Sequence, residues 1–120
     1  MLPEHLLLGI LEDFGCVACR ILVDLGASLD DLRSRAESQA RAQNAGAQTG
    51  LHMTAEARNA IDLAYLASRQ LNNTYLGTEH LLLGLVQERG GRIKDLLLES
   101  GIRPAQILEA ASALQKPSAN

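Results

Sequence analysis

A chain of 120 residues with 47% hydrophobic and 21% charged side chains is expected to form one soluble globular domain. Aromatics at 2% leave the core to Leu, Ile, Val and Ala, which favours packed helices over a β-sandwich. A net charge of −3 offers no positive footprint for nucleic acid. No apolar run approaches the ~18–20 residues of a membrane span, no basic region precedes the first apolar stretch, and two cysteines make no disulfide framework, so a cytoplasmic protein is expected.

The first helix is expected over residues 1–12. Pro3 suits a first helical turn, Glu4 sits at the positive end of the macrodipole, and Leu6, Leu7, Leu8, Ile10 and Leu11 make the helix apolar nearly all round. Asp13 to Gly15 breaks it. A second helix over 16–25 carries Val17, Ile21, Leu22 and Leu25, and Gly26 stops it. Ser28 caps a third, with Leu29, Leu32 and Ala36 inward and Arg33 and Arg35 outward. Residues 39–52 lack large apolar side chains until Leu51. The first part can prolong the helix, and Gly46 to Gly50 reads as a linker.

Thr54 is the expected cap of the longest helix, running to about Asn72. Its inward side is Ala57, Ala60, Ile61, Leu63, Ala64, Ala67 and Leu71, and its wet side Arg58, Asp62, Arg69 and Gln70. After a turn at Asn72, Asn73 and Gly77, Thr78 is expected to cap a helix from Glu79 to about Gln87. Gly90-Gly91 ends it. The next helix buries Ile93, Leu96, Leu97 and Leu98 and stops at Gly101. Pro104 opens the last, with Ile107, Leu108, Ala111 and Leu114 inward, and residues 117–120 form a tail.

One stretch occurs twice. Glu4-His5-Leu6-Leu7-Leu8-Gly9 recurs as Glu79-His80-Leu81-Leu82-Leu83-Gly84, an offset of 75 residues. The same offset carries Gly15 onto Gly90, Leu22 onto Leu97, Gly26 onto Gly101 and Ala36 onto Ala111. The chain is therefore read as all-α, about seven helices in tandem pseudo-twofold repeats. The organisation is a shortened first repeat (1–38), a linker (39–52), a complete second repeat (53–116) and a tail (117–120). The long helix of the second repeat has no counterpart in the first. Burying a Leu side chain contributes roughly 1.5–3 kcal/mol. The uncovered surface is thus expected to be met by a homodimer partner or an apolar peptide.

These residues resemble a known family. Thr54-Ala55-Glu56-Ala57-Arg58, then Tyr75-Leu76-Gly77-Thr78-Glu79-His80-Leu81-Leu82-Leu83-Gly84-Leu85, a glycine break, and Leu97-Leu98-Glu99-Ser100-Gly101-Ile102 look like the Clp N-terminal repeat domain. The subtype is that of the ClpC-type unfoldases, ATP-driven partners of the Clp protease. The resemblance covers residues 1–38 and 53–116. Pro3 stands where the first signature usually has threonine, and no Gly-x-x-x-x-Gly-Lys-Ser/Thr loop occurs, so nucleotide hydrolysis by that route is excluded.

The resemblance implies a non-catalytic recognition module for protein substrates or adaptors of a Clp unfoldase-protease, working alone as a modulator of proteolysis. The alternative is an assembly or dimerisation protein that kept the fold and lost substrate reading. It also implies that Glu4 and Glu79 are the carboxylates that grip phosphoarginine on marked substrates. The chemistry is consistent, since a carboxylate pairs with a guanidinium through two hydrogen bonds. The plainer role of each glutamate is to stabilise a helix N-terminus, worth roughly 0.3–1 kcal/mol. His5 and His80 recur with the scaffold, which points to packing and hydrogen bonding at a helix start. Cys16-x-x-Cys19 has no second pair, so small buried residues are expected rather than a metal site, and no cofactor is expected.

Overall fold

The computed structural model describes residues 1–44 and 53–115. These form seven α-helices: α1 (Pro3–Leu11), α2 (Val17–Asp24), α3 (Leu29–Asn44), α4 (Ala55–Gln70), α5 (Thr78–Gln87), α6 (Arg92–Glu99) and α7 (Pro104–Gln115), with no strand among the described residues. The all-α expectation holds.

The offset of 75 residues is repeated in the hydrogen bonds. Gly26 and Gly101 both take left-handed φ, at 95° and 88°. Beyond them, the Ala27 and Ile102 amides donate to the carbonyls of Leu22 and Leu97, the wrap that closes a helix C-terminus. At the preceding break, the Cys16 and Gly91 amides donate to the Asp13 and Glu88 carbonyls. The Asp13 and Glu88 carboxylates accept from the amides of Gly15 and Gly90.

α5 is the hub, packing most extensively on α4 and touching α1, α2, α6 and α7. One core draws on both halves, with Leu7, Leu11, Leu22, Leu32, Leu82, Leu85, Ile93, Leu96 and Ile107 fully buried. The glycines of the repeated stretch show what differs between halves. A Cβ on Gly84 would collide with the Ala60 carbonyl and the Ala64 amide, because α4 crosses there at backbone distance. A Cβ on Gly9 would meet open space. Within this chain α1 packs chiefly on α3 instead, and Leu6 and Leu8 are half-buried.

Several expectations need correction. Thr78 does not cap α5. Gly77 is the N-cap, and the Thr78 hydroxyl accepts from the Ala18 amide at 3.1 Å, satisfying the first turn of α2 in the other half. Leu98 and Leu108 are 43% and 44% exposed, since each follows the inward stripe by one residue and so points a hundred degrees away from it. Leu114 is on the expected face, yet 54% exposed, because nothing among the described residues covers that end of α7. α3 continues through Asn44, with Ala40 buried, as allowed for the first part of residues 39–52, and the rest of the expected linker lies outside the described residues. Thr54 and Ser28 cap as expected, accepting from the amides of Ala57 and Asp31.

Candidate functional site

Each repeated Glu-His pair opens a helix, and the histidine fixes the opening. His5 Nδ1 accepts from the Leu2 amide at 2.9 Å, and His80 Nδ1 from the Gly77 amide at 2.8 Å. Each satisfies an amide that the helix itself leaves without a partner. With Nδ1 accepting, the His80 proton belongs on Nε2, which lies 2.7 Å from Asn73 Oδ1. Burial pulls the His80 pKa below its usual value, with the charge of Glu79 opposing.

The two glutamates meet different fates. Glu4 is fully buried and held by Arg92, with Nε 2.7 Å from Oε2 and Nη2 3.1 Å from Oε1. This is the two-pronged guanidinium–carboxylate geometry, and it holds the Arg92 pKa above its usual value. Truncating one partner of a fully buried pair costs about 3–5 kcal/mol. The cost is smaller here, because the Arg92 side chain keeps 24% of its surface in water.

Glu79 is 2% exposed and accepts from the Tyr75 hydroxyl at 2.9 Å. Its carboxylate folds back over Gly77, where a Cβ would strike Glu79 Oε1 and crowd the Tyr75 ring. The residue preceding Glu4 at the same spacing is Leu2, which carries a side chain where Gly77 has none. Tyr75 is fixed in turn, since its carbonyl accepts from the Ser68 hydroxyl at 2.7 Å and its ring tilts against His80 with centroids 5.2 Å apart.

In front of Glu79 lies a cavity of about 430 Å³. Its walls are Val17, Arg20, Ile21 and Asp24 of α2, Tyr75, and Ala110, Ala113 and Leu114 of α7. The offset of 75 residues carries Val17 onto Arg92. Where one half has Arg92 the other has Val17, and Val17 lines this cavity. The floor is apolar, one wall is a carboxylate with a phenol, and Arg20 stands at the side. The lining therefore carries two carboxylates, Glu79 and Asp24, and one guanidinium, Arg20.

Sequence reasoning gave Glu4 and Glu79 one role, whereas their surroundings differ. It missed Arg92, Tyr75 and Arg20. The available signal was the mismatch of Val17 with Arg92 at the first helical position after the break.

The cysteines are structural in geometry. Cys16 is the N-cap of α2, accepting from the Cys19 amide, and both thiols donate to the Ile10 carbonyl. Burial, with the neighbouring Cys16, pushes the Cys19 thiol up to about 12. Among the described residues no group of three or more His, Cys, Asp or Glu side chains is placed to hold a metal ion, and no helix is long and apolar enough to cross a membrane.

The family model of the Clp repeat (R) N-terminal domain matches residues 1–100 and 52–117. The chain is 32% identical over 104 residues to the chloroplastic chaperone protein ClpC2 of Oryza sativa subsp. japonica, covering 87% of this chain and 11% of that protein. It is 33% identical over 99 residues to the negative regulator of genetic competence ClpC/MecB of Bacillus subtilis (strain 168), covering 82% and 12%. To the chloroplastic chaperone protein ClpC1 of Arabidopsis thaliana it is 31% identical over 104 residues, covering 87% and 11%. The chain thus spans about a tenth of the length of these curated relatives. With its helical repeats, its twice-used Glu-His-Leu-Leu-Leu-Gly helix start and these matches, the chain belongs to the Clp repeat N-terminal domain family, in the ClpC-type branch.

Proposed function

We propose that this chain is a non-catalytic recognition module that takes arginine side chains of protein substrates or adaptors, phosphorylated arginine above all, into the cavity at Glu79. The observation that carries this reading is the cavity itself, where a buried carboxylate and Arg20 line one apolar slot. Glu79 accepts from the guanidino N–H groups, and Arg20 meets the phosphoryl oxygens. Such a module sequesters marked proteins or delivers them to a Clp unfoldase-protease, and so modulates proteolysis.

The test is a calorimetric titration with phosphoarginine. Glu79→Gln should weaken binding about 10- to 100-fold, the loss of a charged hydrogen-bond pair worth roughly 1.5–3 kcal/mol. Arg20→Ala should weaken phosphoarginine far more than free arginine. Equal binding by wild type and Glu79→Gln, or no binding at millimolar ligand, overturns the reading.

Gly9 favours a second reading, assembly with another copy, because α1 leaves at Gly9 the close approach that α4 makes at Gly84. Sedimentation at rising concentration decides it: a dimer supports assembly, and a monomer throughout removes it.

A further inference from the structure

Cys16-x-x-Cys19 takes no part in recognition at Glu79. Nor does it belong to the repeat, since the offset of 75 residues carries the two cysteines onto Gly91 and Lys94. We propose that the pair is a thiol–disulfide exchange site for small-molecule disulfides, in which Cys16 attacks and Cys19 resolves. This chemistry needs nothing from the Glu79 cavity.

The two sulfurs converge. Both thiols donate to one atom, the Ile10 carbonyl oxygen, Cys16 from 3.5 Å and Cys19 from 3.3 Å, and the Cys19 amide donates to Cys16 Sγ at 3.4 Å. Cys16 is the N-cap of α2 and Cys19 lies three residues on. Helical residues three apart hold their Cβ atoms roughly 5–6 Å apart, a short approach from the roughly 3.5–4.5 Å of a disulfide. The thiols also differ in access, Cys16 being half-buried and Cys19 buried. Burial, then the hydrogen bond and charge of Cys16, then the charge of Asp13, push the Cys19 thiol up to about 12, with Arg33 of α3 pulling the other way. Cys19 therefore stays a thiol at neutral pH and out of reach of a solute, and Cys16 is the sulfur that a solute meets.

In the first step the Cys16 thiolate attacks one sulfur of RSSR. The Cys16–SR bond forms, the S–S bond breaks, and the departing RS⁻ takes up the proton that Cys16 gave up. Cys19 then attacks Cys16 Sγ, closing the internal disulfide and expelling a second RS⁻, which takes up the Cys19 proton. Two protein thiols are oxidised, RSSR is reduced to two RSH, and no further reactant is needed. Closure removes both S–H donors from the Ile10 carbonyl at the end of α1, which keeps the Asp13 amide.

The experiment treats the folded protein with oxidised glutathione, quenches it with acid at intervals, and reads intact mass and the peptide that carries each adduct. Wild type should pass through one adduct, on Cys16, to a product lighter than the dithiol by two hydrogens. Cys19→Ala should stop at the Cys16 adduct. Cys16→Ala should react on the order of 100-fold more slowly folded than in urea, because only unfolding returns Cys19 to solvent and to its ordinary pKa. If either substitution prevents folding, the adduct order in wild type still decides. Folded wild type that stays a dithiol, that takes glutathione on Cys19 first, or that ends with two adducts and no internal disulfide overturns the inference. So does Cys16→Ala that folds and reacts as fast folded as in urea.

Discussion

His80 has a folded environment that only its neutral form suits. Its Nδ1 accepts from Gly77, its Nε2 faces the Asn73 amide oxygen, and burial holds its pKa below the usual 6.5. The unfolded chain therefore binds a proton at that residue before the folded one does. Stability is full above about pH 6.5 and is lost as pH falls from there through the lowered folded value. Urea midpoints measured between pH 7.5 and 5 should decline, and His80→Asn, whose amide does not titrate, should flatten that decline. The positions of both histidines were legible in the sequence because they recur at one spacing after each helix start. The grip of Arg92 on Glu4 was not. A pair separated by 88 residues is decided by how α6 lies against α1, and no local pattern encodes that.

The helices themselves were largely readable, since caps and stops are local chemistry. Ser28, Thr54, Gly26 and Gly101 each do what their residue type predicts. Thr78 did not, because a hydroxyl at a helix start can turn toward a neighbouring helix whose amide has no other acceptor. The comparison of α1 with α5 gives a paired prediction. Gly84→Ala drives a methyl into the α4 backbone and should destabilise by about 1–3 kcal/mol, as overpacking does. Gly9→Ala fills open space on a helix and should stabilise by about 0.5–1 kcal/mol, the usual gain over glycine there. Chemical denaturation of the two variants checks both signs. If Gly9→Ala destabilises as much as Gly84→Ala, a partner occupies that face in solution, as the assembly reading requires.

The two halves are stitched by side chains of the second that serve the first. Thr78 of α5 completes the start of α2, and Arg92 of α6 holds Glu4 of α1. A change in one half should then register in the other. Thr78→Val should speed hydrogen exchange at the Ala18 amide about fivefold, for the loss of a hydrogen bond worth about 1 kcal/mol, while leaving the amides of α7 as they were. Hydrogen exchange by NMR reads this directly. The stitching also bears on the order in which the protein is born. Synthesis reaches α1, α2 and α3 before either Thr78 or Arg92, so these helices form with an acid and a helix start that only later residues can satisfy. The first copy of the repeat must wait, exposed to proteases and chaperones, until the second copy arrives to complete it.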